Sequence, residues 1–174
     1  MKLFAKPAAA ALALVLAALA AASCGTNGAA RNGAAAEAAG HIDFSVVRNA
    51  DWILTELRRD SRTVTLDRAF HAEAFGDIFA IRFQDAMVSG RGMPNSFRGP
   101  YTLGDGQSIT FGPMATTMMA AFMEPDELVE HEFFLYLYNA FMWDVYEGNL
   151  ELHTTDEAGA VVVLVFAGFV PAGE

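Results

Sequence analysis

The feature that most constrains this chain is the shortness of its apolar stretches between Trp52 and Phe166. Most run for only a few residues and are closed off by Gly, Asp or Asn. Thr63–Leu66 and Ile78–Phe83 alternate with period two, which places Phe79, Ile81 and Phe83 on one face. Such stretches form half-buried antiparallel strands. Trp52–Leu57, Met87–Ser89, Arg98–Leu103, Ser108–Phe111, Met114–Ala121, Trp143–Tyr146, Leu150–Thr154 and Val161–Phe166 read as further strands, the last being the most buried by composition. Gly104-Asp105-Gly106-Gln107 has the length and glycines of a hairpin loop, and Gly148-Asn149 reads as a second turn. Asp105-Gly106 is a turn signal and not a calcium loop, because the alternating acids such a loop needs do not follow.

One stretch has helical spacing. Pro125-Asp126-Glu127 supplies a start with acids in the first turn, and Val129, Phe133, Tyr136, Leu137 and Ala140 fall on one face. Phe134, Tyr138 and Phe141 widen that face, so the helix is either clasped on two sides or borders a groove. The predicted fold class is α+β, mainly β: a curved antiparallel sheet or incompletely closed β-barrel of about eight strands with one main helix packed on it. Trp52, Phe83, Phe133, Leu137 and Val163 are expected to be mutually buried.

The N-terminus has a different logic. Basic Met1–Lys6 is followed by Ala8–Ala22, made only of Ala, Leu and Val, and then by Ser23-Cys24. This is the pattern of a secretory leader, and its apolar run is shorter than the roughly 20 residues of a membrane-spanning helix. Cys24 is the only cysteine, and its place directly after the leader points to lipid attachment there. The expected organisation is a lipoprotein signal peptide at 1–23, an acylated Cys24 with an Ala/Gly-rich tether at 24–41, a folded domain at 42–170 and a short tail at 171–174. The tether has too little to bury to fold by itself.

Charge narrows the partners. The only lysines are Lys2 and Lys6, so a chain beginning at Cys24 keeps nine arginines against 21 acids, a formal charge of −12. That excess argues against nucleic acid, which is held by cationic contacts to phosphate, and against docking on anionic lipid. The expected partners are the membrane, through the lipid anchor, and an envelope protein or an apolar ligand. The domain is expected to be a monomer on the periplasmic or surface face of the inner or outer membrane.

Several motifs follow one another in a definite order. Ser89–Tyr101 contains a glycine turn, Asn95 and a Phe-Arg-Gly-Pro-Tyr strand entry. Met114–Ala121 contains Thr117-Met118-Met119-Ala120, and Glu132-Phe133, Leu137, Gly148, Leu150 and Leu152 continue the series. From about Trp52 to Phe166 this order resembles the META domain, the family that includes HslJ-like bacterial envelope lipoproteins. The resemblance makes Asn95, Gly99, Tyr101, Thr117 and Met119 candidate motif positions with a structural role, and it implies a stress-response function. Family members often carry a cysteine after the first glycine turn and another after Met-Ala. Here those positions hold Pro94 and Ala121, so the disulfide that such a pair would form is absent.

No catalytic set emerges. His41, His71, His131 and His153 are scattered without the spacing of a zinc motif, and Glu127 with His131 at i and i+4 reads as a surface pair. Residues 25–174 contain neither cysteine for a thiol nucleophile nor lysine for a Schiff base. Ser89 and Ser96 lack a nucleophile-elbow setting. Glu130 and Glu132 read as a solvated acidic face, since helical neighbours two apart diverge. The expectation is a non-enzymatic binding or scaffolding module without catalytic residues, metal or cofactor. The alternative is a small-molecule or hydrolytic enzyme using the barrel mouth.

Overall fold

The computed structural model describes residues 42–60 and 62–169, so the leader, Cys24 and the tether lie outside the described residues. A 3-10 turn, Phe44–Val46, precedes β1 (Asp51–Arg59), β2 (Arg62–Thr65), α1 (Arg68–Ala74), β3 (Ala80–Gln84), β4 (Met87–Arg91), β5 (Ser96–Leu103), β6 (Ile109–Phe111) and β7 (Ala115–Thr116). Then come α2 (Glu130–Tyr138), β8 (Met142–Tyr146), β9 (Asn149–Thr155) and β10 (Val161–Phe169). The strands pair antiparallel in the order β6-β5-β4-β3-β1-β10-β9-β8, with β2 on β1 and β7 on β5.

The two ends of that order meet. Ser108 bridges Met142, the Ile109 N–H donates to Phe141 O at 3.1 Å, and the Trp143 N–H donates to Gln107 O at 2.9 Å. Gln107 Nε2 adds a bond to Asp144 Oδ1 at 2.7 Å. The sheet is therefore a nearly closed barrel with one short seam, and closure is what protects edges that would otherwise pair with other chains. A bulge at Thr55, between Leu54 and Glu56 in the register with β10, lets the first half of β1 pair with β3 and the second half with β2.

The inward faces build one aromatic-rich core. Phe44, Phe83, Tyr101 and Trp143 cluster at one end of the barrel, with Phe44 5.2 Å from Phe83 and 4.7 Å from Trp143, both edge to face. Phe79, Phe97 and Phe133 join the sheet to α2. Phe79, Ile81 and Phe83 all point inward as the alternation predicts, although β3 itself begins at Ala80 because Phe79 adopts a positive φ of 53°. Among the described residues no helix is long and apolar enough to cross a membrane.

The structure corrects several expectations. The mainly β class and the incompletely closed antiparallel barrel stand as expected, with ten strands among the described residues; a second helix, α1, is added, which a seven-residue segment without strong apolar periodicity did not announce. Its start is set by the Asp67 carboxylate, which accepts from the Phe70 N–H at 3.0 Å. Met114–Ala121 contributes only the two residues of β7, because β5 offers it Phe97 and Arg98 alone and has already given Tyr101–Leu103 to β6. The β8–β9 turn is Glu147-Gly148, both at positive φ, and Asn149 already pairs with Tyr146. Helix α2 starts at Glu130, not at Pro125, since Pro125 and Leu128 are pulled into the interior and Val129 is extended. Of the expected core set, Trp52, Phe83, Phe133 and Leu137 are buried, whereas Val163 is only half-buried. Its partners in the sheet are Arg58 and His153, so it stands on the outer face between them.

Candidate functional site

Asn95, in the turn between β4 and β5, ties three parts of the chain together. Its Nδ2 donates to Glu130 Oε2 at 2.6 Å and to Met119 O at 3.1 Å. Its Oδ1 accepts from the Thr117 hydroxyl at 2.9 Å and from the Met119 N–H at 2.7 Å. Its backbone N–H donates to Glu130 Oε1 at 2.6 Å. Two donors and two acceptor positions of one amide are all engaged, which is the full capacity of an asparagine side chain. The Thr117 hydroxyl in turn accepts from the Ser96 N–H at 3.1 Å. Gly92 makes room for this arrangement: a Cβ there would lie 2.7 Å from the Glu130 carboxylate.

The structure thus brings Asn95, Thr117 and Met119 together and adds Glu130 to them. The solvated acidic face expected of Glu130 and Glu132 is corrected accordingly, because Glu130 turns to Asn95 while Glu132 lies 3.7 Å from Arg59. Gly99 and Tyr101 act elsewhere along β5. A Cβ on Gly99 would press on Met114 at 2.8 Å and on the Pro113 carbonyl at 3.0 Å, so glycine lets the chain between β6 and β7 cross over β5. Tyr101 is buried between Phe44 and Phe83, and its hydroxyl donates to Asp85 O at 2.5 Å.

Beyond the Asn95 junction the chain leaves the protein surface. Met118 is 97% exposed, Met119 55%, Phe122 106% and Met123 63%, and no charged residue falls within 115–123. The chain returns at Pro125 and Leu128, which are both buried. The apolar tip is fixed on both sides, since its first residues are bonded to Asn95 and its exit is packed in the core. Exposed apolar surface concentrated in this way marks an interaction site more often than chance exposure does.

Pro94 and Ala121 flank the same junction. The Asn95 bonds join the two segments that hold these positions, so the link between them is carried by hydrogen bonds. With no cysteine among residues 42–169, a reducing agent is expected to leave the thermal midpoint unchanged. A midpoint that falls on reduction, followed by calorimetry with and without dithiothreitol, would contradict this account.

Two polar clusters lie away from that junction. His71, fully buried on α1, lies between Arg68 and Glu127: Nη1 of Arg68 is 3.3 Å from His71 Nδ1, and His71 Nε2 is 3.3 Å from Glu127 Oε2. The expected Glu127–His131 surface pair is therefore replaced by Glu127–His71, because Glu127 precedes the helix. Burial lowers the pKa of the Arg68 guanidinium, opposed by the charge of Asp77. The second cluster is an open cleft of about 270 Å³ lined by Arg59, His131, Glu132, Tyr136, Asp156 and Glu157 with two apolar neighbours. The Arg59 guanidinium stands 5.4 Å from the centre of the Tyr136 ring, and burial pushes the Tyr136 phenol above its ordinary pKa while Arg59 pulls against it. Among the described residues no group of three or more His, Cys, Asp or Glu gathers as a metal site would require.

Sequence reasoning missed the Glu130 partner, the His71–Glu127 contact and the Arg59 cleft. The glycine at position 92 was the available signal for the first, since glycine permits close approach of another element. Nothing in the local sequence pointed to the other two, which pair residues distant in the chain.

The comparisons agree with the architecture. A solution structure of a protein from Burkholderia xenovorans superposes with a TM-score of 0.54 at 18% identity, covering 72% of this chain and 86% of that one. A crystal structure of a DUF4847 family protein from Bacteroides vulgatus gives a TM-score of 0.50 at 14% identity, covering 71% and 95%. At these identities the likeness is one of fold. No curated protein matches the chain. The family model for the META domain matches residues 45–167, which is most of the chain and nearly all of the barrel, and the protein belongs to the META domain family.

Proposed function

We infer that the protein is an envelope lipoprotein, anchored by acyl chains on Cys24, whose META domain is a non-enzymatic binding or scaffolding module acting as a monomer, with a HslJ-like stress role as its family-level context. The observation that carries the binding role is the Met118–Met123 tip, apolar, exposed and held on a base fixed by Asn95. Aqueous exposure of these side chains is unfavourable by roughly 25 cal/mol per Å² of apolar area. A bound partner would recover that free energy. The anchoring role is supported by the order of basic residues, apolar run and Cys24 in the sequence.

Anchoring has a direct test. Cells expressing the protein are fed a fatty-acid analogue, and label is expected on the parent chain and absent from Cys24→Ala. Label that persists in the variant, or that neither chain takes up, overturns the anchor. A second reading, a small-molecule enzyme, is favoured only by the cleft at Arg59, where His131, Glu132 and Tyr136 converge. Isothermal titration of Arg59→Ala against the parent with a metabolite mixture would separate them: heat lost in the variant supports a ligand in the cleft.

A further inference from the structure

We propose that the Met118–Met123 tip docks a cationic amphipathic helix of another envelope protein, one with an apolar face bordered by Lys or Arg. This rests on the binding-module reading and names the occupant. Methionine is unbranched and polarizable, and exposed methionines suit apolar faces of varied shape. Such surfaces take amphipathic helices by their apolar stripe. Three side chains of this kind, Met118, Met119 and Met123, share this exposed segment with the fully exposed Phe122.

Charge selects the partner's sign. Strand pairing sets Arg98, the last arginine, opposite Ala115 at the base of the segment, and from there on residues 99–174 carry twelve acids and no Lys or Arg. Glu124 and Asp126, next to the tip, are both exposed, and neither has an ion-pair partner among the described residues. An apolar tip bordered by unpaired carboxylates complements an apolar face bordered by cations. The same carboxylates disfavour an anionic lipid surface, and a second copy of this acidic chain would meet like charge.

The position of the tip points the same way. The chain enters the domain at Phe44, which packs on Phe83 and Tyr101 beside the β3–β4 turn, whereas Asn95 and the tip lie beyond the opposite end of β4. The tip thus lies at the opposite end of β4 from the first described residues.

The test places the full chain in phosphatidylcholine nanodiscs that contain a photoreactive phosphatidylcholine. Two peptides of equal length, a Leu/Lys and a Leu/Glu amphipathic helix, carry photolabels of different mass, and empty discs give the background. Capture of the Leu/Lys peptide is expected to exceed that of the Leu/Glu peptide by roughly tenfold at low salt. It should weaken as salt rises, map to residues 118–123, and vanish in the Met118→Ser, Phe122→Ser, Met123→Ser chain. That variant should keep the parent's thermal midpoint, since the three side chains are exposed. Equal capture of both peptides, capture of neither, labels mapping elsewhere, or lipid labels on the tip each overturn the proposal. Fatty-acid labelling of the same parent chain keeps the two readings apart: an unlabelled parent that still captures the Leu/Lys peptide overturns the anchor alone, and a labelled parent without capture overturns the docking alone.

Discussion

Asn95→Asp should destabilise the protein strongly at neutral pH, by about 4 kcal/mol, and most of that loss should disappear as the pH falls towards 4. The substitution replaces Nδ2, 2.6 Å from Glu130 Oε2, by an oxygen that carries or shares a negative charge. Two carboxylates at that distance cannot both ionise comfortably, so in the folded variant one of them holds its proton to a higher pH than it would in the unfolded chain. The folded state then binds more protons than the unfolded state, and stability rises as pH falls. Below the shared pKa a proton between the two carboxyls restores a hydrogen bond.

Asn95→Ala provides the contrast. It removes four side-chain hydrogen bonds, one of them to a carboxylate, for a cost of about 3 kcal/mol. That cost should be nearly flat with pH. Urea denaturation of both variants between neutral and acid pH measures the difference. An aspartate variant whose loss does not shrink in acid would mean that Glu130 is not the partner of Asn95.

The other large effect lies in the core. Phe133→Ala should lower stability by about 3 to 5 kcal/mol. Phe133 is fully buried, and its ring sits 5.1 Å from Phe79, 6.2 Å from Phe97 and 5.9 Å from Phe134. It is therefore the joint between α2 and the sheet. Truncation removes the transfer free energy of the ring and leaves a cavity among side chains already engaged with strands on either side. The midpoint of urea unfolding should drop with little change in slope. Phe122→Ala, of the same chemistry but fully exposed, should stay within about 0.5 kcal/mol of the parent. A similar loss in both would mean that the tip is packed in solution.

The strands were legible because period-two alternation is a local signal that the finished sheet preserves. Ile78–Phe83 is the clearest case, where alternation identified three core phenylalanine and isoleucine positions correctly. The helix face was legible for the same reason, through Phe133, Tyr136 and Leu137. Its start was not, because Pro125-Asp126-Glu127 satisfies every local rule for a helix start yet is drawn off by contacts distant in sequence: Pro125 and Leu128 into the core, Glu127 to His71. Val163 failed similarly, since composition cannot tell which face of a strand carries the half-exposed valine.

At the candidate site the sequence located Asn95, Thr117 and Met119 only through their order in a familiar pattern. It gave no physical account of why they belong together. That account needs Glu130, 35 residues from Asn95, and an acidic residue at the start of a helix has so many ordinary uses that nothing singles it out. Met114–Ala121 reads as a strand because apolar residues without charge suggest burial, and only the three-dimensional path shows that Met118 and Met119 remain in water.

The short seam between β6 and β8 sets where this barrel breathes. Each of the other neighbouring strand pairs in the circuit is joined by three or more register pairs, whereas here a lone bridge, made by the two backbone bonds at Ile109 and Trp143, and the Gln107–Asp144 side-chain bond hold the cylinder shut. Local opening follows the path of fewest broken contacts. The Ile109 and Trp143 amides should accordingly exchange their hydrogens for deuterium well before those of β1 and β10. In that opened form the protein is a sheet with two free margins, and a second molecule opened in the same way could close each margin with its own, so that the seam is also the point at which one chain could trade strands with another.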